Sequence, residues 1–169
     1  MKAVVVLAMH GSPPLDFPKD ELAEFFTLHA RFEHAPAPGG SPGSRRFREL
    51  EGKMRRWPRS AANDPFFAGS ERLAAEIRKA SGLEIILGFN EFCAPALDEA
   101  LDRAAEKNPE KILVITPMMT PGGEHSERDI PAAIERARKR HPGMTFVYAW
   151  PFPPEGVAAF LASELAKFR

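Results

Sequence analysis

Four short runs of apolar residues constrain the fold of this chain more than any other feature. They are AVVVLAM at 3–9, LEIILGF at 83–89, KILVITP at 111–117 and MTFVYAW at 144–150. Each is rich in β-branched or aromatic residues and apolar at both alternating positions, which is typical of strands covered on both faces. Helical patterns separate the runs. This alternation predicts an α/β fold: a doubly wound sheet of about four parallel strands with flanking helices.

The predicted helices follow the strands in the sequence. Asp64 and Asp129 each stand immediately before a helical pattern, so we expect both residues to act as N-caps. Helical spacing of apolar residues predicts helices at 65–80, 95–107, 130–140 and 155–168.

One long segment interrupts the alternation. Residues 13–62 separate the first strand from its helix, and such a long excursion at the end of a strand is usually functional or disordered. It contains a predicted helix at 19–33, a Pro/Gly/Ser-rich linker at 34–44 and a basic stretch at 44–59. We interpret it as a lid-like helical insertion within a single domain of residues 1–169, a length that suits one domain.

Composition excludes several classes of protein. Lys and Arg number 23 and so do Asp and Glu, so net charge gives no argument for nucleic acid or a membrane as partner. The single cysteine, Cys93, excludes an internal disulfide framework and a Cys-x-x-Cys metal site. The apolar runs are far shorter than the ~20 residues that span a bilayer. We therefore expect a cytoplasmic protein with no membrane partner and no nucleic-acid partner.

Three of the predicted strands are followed by polar side chains that can carry chemistry. His10 follows the first strand, Glu91 follows the second, and His125 follows the third after a Pro-Gly-Gly turn at 121–123. If these strands are parallel neighbours, the three side chains arrive at one rim of the sheet. Each residue alone is more often structural. Together, two imidazoles and a carboxylate suit either a divalent transition metal or an acid–base set.

These segments also resemble a known family. The chain has HGS at 10–12, FNEFCAPALDEAL at 89–101, GGEHSERDIP at 122–131 and YAWPF at 148–152. Together they resemble the CbiX branch of the class II tetrapyrrole metal chelatases, the sirohydrochlorin cobaltochelatase-like proteins. The Gly-x-His-x-x-x-Asp-Ile-Pro element is the most specific part of the resemblance.

The resemblance implies an enzyme, a lyase that inserts a divalent cation into sirohydrochlorin or a related tetrapyrrole in cobalamin or siroheme biosynthesis. Co²⁺ is the expected ion, with Ni²⁺ and Fe²⁺ as alternatives, and it is a substrate; no organic cofactor is expected. The resemblance implies that His10 and His125 bind the metal and that Glu91 assists, so that all three are catalytic. It also implies a homodimer, because short members of the family are similar to one half of the longer chelatases.

The basic stretch of the insertion suggests how a tetrapyrrole with many carboxylates could be held. Arginine's planar fork binds carboxylates through two hydrogen bonds. We therefore expect Arg45, Arg46 and Arg48 to bind the substrate's peripheral carboxylates, the alternative being a solvated basic helix face.

Two other functions are compatible with the same residues. The first is a non-catalytic carrier that binds metal or tetrapyrrole through the same histidines. The second is an enzyme for a phosphate-containing ligand that uses the glycine turn and a helix N-terminus, although the regular G-x-G-x-x-G pattern is missing. A further metal site at His29 and His34 is disfavoured, since residues five apart do not share a helix face.

Overall fold

A four-stranded parallel sheet forms the centre of the protein, as the sequence predicts. The computed structural model describes residues 3–33 and 41–169, so His34 and most of the predicted linker lie outside the described residues. The strand order is β2-β1-β3-β4, and every pair is parallel. The strands are β1 (Ala3–Met9), β2 (Glu84–Phe89), β3 (Lys111–Ile115) and β4 (Phe146–Tyr148).

Six α-helices accompany the sheet in the described part of the chain. They are α1 (Lys19–Glu33), α2 (Pro42–Arg55), α3 (Pro65–Ser81), α4 (Leu97–Glu106), α5 (Ile130–Arg140) and α6 (Pro154–Leu165). A π-helical turn at His125–Asp129 precedes α5, and a 3₁₀ turn at Ala166–Phe168 follows α6. Within the described residues, no helix combines the length and apolar character that crossing a bilayer requires.

The helix starts agree with the sequence at α3 and differ at α4. Asp64 caps α3 as predicted, its side chain accepting the N–H of Phe67 at 2.8 Å. α4 begins at Leu97, two residues later than predicted. Residues 95 and 96 instead pair with Phe89, the last residue of β2: the carbonyl of Pro95 accepts the N–H of Phe89, and the backbone of Ala96 is extended.

The two faces of the sheet are both covered. Alternate residues of β1 pack into different clusters: Val4, Val6 and Ala8 into one, Val5, Leu7 and Met9 into the other. The first cluster is completed by α4 and α5, for example by Leu101 and Ile134. This two-sided burial explains why every residue of β1 is apolar.

The insertion is part of the core on the second face. Phe25 of α1 and both Leu50 and Met54 of α2 are buried in the same cluster as Leu7 of β1. Burying each of these side chains is worth roughly 1.5–3 kcal/mol. The two helices are therefore packed against the sheet.

A group of ion pairs joins α4 to α5. Asp98, in the first turn of α4, accepts hydrogen bonds from Arg136 (2.5 Å) and Arg140 (3.0 Å) of α5. Burial raises the pKa of Asp98, but the hydrogen bonds and positive charges of the two arginines outweigh it, and the net pKa is below the ordinary value. The ionised form of Asp98 therefore stabilises the folded state.

Replacing Asp98 with Asn should lower the free energy of unfolding by about 0.5–1 kcal/mol at pH 7, a modest value because the pair is partly exposed. A folded-state pKa below the unfolded one means that this contribution is present above about pH 4 and is lost as the pH falls through the folded pKa. The difference between D98N and the wild type should shrink accordingly. Urea denaturation at several pH values measures it.

Glu99→Gln is the matched control. Glu99 is an exposed neighbour that pairs with Arg103 within the same helix. Its replacement should change stability by less than about 0.5 kcal/mol at any of these pH values. An equal effect of the two variants, or a D98N effect that grows toward low pH, would contradict the assignment.

Candidate metal centre

His10 and Glu91 are placed side by side by backbone pairing that continues past the ends of β1 and β2. The N–H of Asn90 donates to the carbonyl of Met9, and the N–H of Glu91 donates to that of His10, both at 2.9 Å. Gly11 makes this approach possible. Its φ is +110°, and a Cβ there would lie 1.9 Å from the carbonyl oxygen of Glu91, so no larger residue fits.

His125 reaches the same rim from the loop after β3. It opens the π-helical turn, and its Nδ1 lies 2.5 Å from Oδ2 of Asp129, four residues later. Because an ionised carboxylate only accepts hydrogen bonds, Nδ1 carries the proton and Nε2 is directed to the rim. Metal-binding histidines are commonly oriented by such a carboxylate. Asp129 occupies the N-cap position of α5 as predicted, but its side chain makes no cap hydrogen bond and instead binds His125.

Residues at the end of β4 anchor this loop. The Tyr148 hydroxyl donates to the carbonyl of Ser126 at 3.0 Å, and the Trp150 indole donates to that of Met118 at 2.9 Å. Burial raises the pKa of Tyr148 to about 12, so its hydroxyl remains a donor over the whole physiological range. The Ser126 hydroxyl binds the carbonyl of Gly123. His125 is therefore held from two directions.

The three side chains predicted to share one rim lie together in the structure. Nδ1 of His10 is 3.8 Å and Nε2 of His125 is 3.9 Å from Oε2 of Glu91. The two imidazole rings are 4.4 Å apart between centroids and nearly perpendicular. One donor atom from each residue lies within 4.8 Å of the others. Two imidazole nitrogens and a carboxylate oxygen form a donor set suited to divalent Co, Ni, Fe or Zn.

A cavity of about 350 Å³ lies beside this group, and Glu91 and Asp129 form part of its wall. A volume of this order is at the low end for small-molecule sites. Arg55 of α2 and Arg136 of α5 contribute its positive charge. Its aromatic wall consists of Phe25, Phe47 and Phe92. Glu91 thus faces the two imidazoles and also borders a partly aromatic space.

The three arginines predicted to bind substrate lie on α2 and do not line this cavity, although Phe47, between two of them, does. Arg46 binds the carboxylate of Glu24 on α1, with 2.8 Å between Nη2 and Oε2. This hydrogen bond lowers the pKa of Glu24. Arg48 donates to the carbonyl of Ser44 in its own helix, and Arg45 is exposed.

Arg55, which the sequence left among other basic residues, has a specific position in the structure. It donates to the carbonyls of Asn90 (2.9 Å) and Cys93 (2.8 Å), on either side of Glu91. The insertion therefore holds the backbone of the loop that carries Glu91. These contacts join residues more than thirty positions apart, and no local pattern in the sequence indicates them.

His29 is a second residue that the sequence did not single out for this site. It lies on α1, lines the cavity and places Nε2 3.6 Å from Oε1 of Glu91. Its spacing from Phe25, one helical turn earlier, puts it on the face of α1 that packs on the domain. This helical spacing from a buried phenylalanine is the sequence signal that places His29 near the rim.

Comparisons with known proteins agree with this fold. The CbiX family model matches residues 66–166. Sirohydrochlorin cobaltochelatase of Priestia megaterium is 38% identical over 63 residues, which are 37% of this chain and 20% of that protein. The enzyme of the same name from Methanopyrus kandleri is 37% identical over 65 residues, 38% of this chain and 45% of that protein. Both matches thus span less than half of the relative's length.

A solved structure shows the same fold over nearly the whole chain. The CbiX protein of Marinobacter aquaeolei VT8, described as a cobalamin (vitamin B12) biosynthesis protein, superposes with a TM-score of 0.53 at 19% identity. The superposition covers 98% of this chain and 94% of that one. Since the family model covers more than half of the sequence, the chain belongs to the CbiX family.

Proposed function

We propose that this chain is a metal chelatase that inserts a divalent transition-metal ion into sirohydrochlorin or a closely related tetrapyrrole. The observation that carries the proposal is the convergence of His10, His125 and Glu91 beside a cavity bordered by aromatic rings. Membership of the CbiX family supports it. Co²⁺ is the proposed ion, in keeping with the names of the two curated relatives.

The proposed role of the two imidazoles is to hold the incoming ion and replace part of its water shell. A neutral imidazole binds Co²⁺, Ni²⁺ and Fe²⁺ well, and a set of two leaves other coordination positions for water and then for pyrrole nitrogens. Asp129 fixes the ring of His125, so that the ring does not have to rotate before Nε2 binds the ion.

The proposed role of Glu91 is to accept the protons that leave the macrocycle. Metal insertion replaces two pyrrole N–H protons with one M²⁺, so two protons have to depart as two metal–nitrogen bonds form. A general base has to lie within hydrogen-bond reach of the proton, directly or through one water. Glu91 borders both the imidazole pair and the cavity, which suits it to this task.

Anaerobic incubation with Co²⁺ and sirohydrochlorin, followed by absorbance, tests the proposal. The wild type should accelerate insertion over the spontaneous reaction. His10→Ala and His125→Ala should each lower the rate by about 100-fold, and Asp129→Asn by about tenfold, the sizes typical of lost ligands and their supporting carboxylates.

His141→Gln serves as the control in that experiment. His141 lies at the C-terminal end of α5, away from the rim, and binds Asp102 of α4. Its replacement should leave the rate unchanged. If the wild-type protein binds Co²⁺ and sirohydrochlorin but does not accelerate insertion, the protein is a carrier and not a chelatase. Undiminished rates in both alanine variants would exclude the imidazole pair as the metal site.

We further propose that Arg45, Arg46 and Arg48 attract the substrate's carboxylates at the outer edge of the site. Since Arg46 also ties α2 to Glu24, the cleaner variant is Arg45→Ala with Arg48→Ala. This double variant should weaken sirohydrochlorin binding severalfold and leave Co²⁺ affinity unchanged, because exposed charges act mainly on a charged ligand. Fluorescence titration measures sirohydrochlorin binding, and competition with a chromophoric chelator measures Co²⁺ affinity.

The control removes two positive charges elsewhere. Lys79 and Arg103 lie on α3 and α4, outside the cavity wall, and their double replacement with Ala keeps the net charge equal to that of the test variant. If the two double variants bind the tetrapyrrole equally well, the arginines of α2 do not bind substrate and form a solvated helix face.

The chain of residues 1–169 is proposed to act as one domain that pairs with a second copy through its C-terminal helix. In the described structure, none of the residues of α6 is buried, although the helix is rich in apolar side chains. Leu165 is 64% exposed and Phe168 88%. A shallow groove of about 250 Å³ lies alongside, lined by Met119, Phe152 and Phe160 among others. An apolar helix of this kind is expected to be covered by a partner.

Phe160→Glu combined with Leu165→Glu should convert a dimer into a monomer, because two buried charges would be placed at the interface. Light scattering coupled to size-exclusion chromatography measures the mass. Leu73→Glu changes an exposed leucine on α3 and should leave the mass unchanged. A wild-type monomer at every concentration tested would contradict the proposed pairing.

A further inference from the structure

His29 gives the rim a third imidazole, and it comes from the insertion. α1 lies outside the residues matched by the CbiX family model, which begin at 66. The imidazole of His29 packs near the rings of Phe25 (5.7 Å between centroids) and Phe47 (6.0 Å). Its side chain is one-third exposed, so it is held among aromatic rings but remains open to the cavity.

The two oxygens of Glu91 face different histidines. Oε1 lies 3.6 Å from Nε2 of His29, while Oε2 faces the nitrogens of His10 and His125 at 3.8 and 3.9 Å. All three distances exceed the 2.7–3.2 Å of a hydrogen bond. Two ligands of one ion at ~2.1 Å each stand about 3.0–3.5 Å apart in tetrahedral or octahedral geometry. The spacing around Glu91 is thus closer to that of ligands around a shared cation.

His29 stands at the edge of this group. The three residues whose donor atoms all lie within 4.8 Å of one another are His10, Glu91 and His125. His29 therefore reaches the same ion only after its side chain turns toward the side of Glu91 that faces His10 and His125. Rotation of an exposed side chain takes picoseconds to nanoseconds.

We propose that His29 is a third imidazole ligand of the divalent ion, supplied by the insertion on the side of Glu91 that faces the cavity. The inference rests on the proposed metal site. His29 lines the cavity that we propose the macrocycle occupies, so its bond to the ion is the one that a pyrrole nitrogen would replace. The insertion would then fill a coordination position until the tetrapyrrole arrives.

The experiment uses the intact protein and the metal alone, so it does not depend on chelatase activity. His29→Phe keeps a ring against Phe25 and Phe47 but removes the nitrogen, and His29→Gln removes the ring. Both should lower Co²⁺ affinity about tenfold in competition with a chromophoric chelator. Pulsed electron paramagnetic resonance with Cu²⁺ as the probe counts imidazoles directly: three are expected in the wild type and two in each variant.

Two further variants separate the possible failures. His141→Gln should retain three imidazoles and full affinity, and circular dichroism melting should show that every variant folds. If the His29 variants keep the wild-type affinity and imidazole count while His10→Ala loses both, His29 is not a ligand and the proposed metal site stands. If His10→Ala also keeps both, the metal site itself is wrong.

Discussion

The candidate site depends on how closely the backbone segments after the carboxyl ends of β1 and β2 approach one another. Parallel pairing continues from the strands to His10 and Glu91, whose backbones share a hydrogen bond of 2.9 Å. The approach leaves no space for a side chain at Gly11, where a Cβ would fall 1.9 Å from a carbonyl oxygen. Any other residue there would force the strand ends apart and separate the imidazole from the carboxylate. The distance between the His10 and Glu91 side chains is thus set by backbone contact.

A second constraint joins the insertion to the same strand ends. Arg59 forms a buried ion pair with Asp64 and donates to the carbonyls of Ser12 (2.6 Å), Met54 (2.9 Å) and Phe92 (2.6 Å). A buried charge is tolerated when a partner and several hydrogen bonds compensate it, and removing one partner is costly. Because these contacts reach Ser12 and Phe92, close after His10 and Glu91, they tie the insertion directly to the rim.

How much of this could be predicted from the sequence depends on the range of the interactions. The strands, the cap at Asp64 and the meeting of His10, Glu91 and His125 follow from local patterns and from the geometry of parallel sheets. The role of Asp129 was hidden because a polar residue before a helix fits a cap equally well. Only the structure shows that the carboxylate of Asp129 binds the imidazole of His125 and not the backbone N–H groups of the helix.

The contribution of the insertion could not be predicted because it rests on contacts between distant parts of the chain. Its basic residues look equivalent in the sequence, yet Arg55 and Arg59 bind loop carbonyls while Arg46 pairs with a neighbouring helix. Which arginine turns inward depends on the docking of α2, fixed by buried Leu50 and Met54. Tertiary packing of this kind has no periodic signature.

The two imidazoles of the predicted pair differ in how firmly they are held, and this difference suits an ion that has to leave. His125 is 18% exposed, its ring is fixed by Asp129, and Tyr148 anchors the turn that carries it. His10 is 48% exposed and has a ring contact with Phe92 at 6.3 Å. An ion bound by one oriented ligand and one yielding ligand keeps its position while its coordination changes. A closed set of rigid ligands, as in structural zinc sites, would retain the ion instead. The asymmetry thus favours transfer of the ion over storage, as the proposed insertion reaction requires.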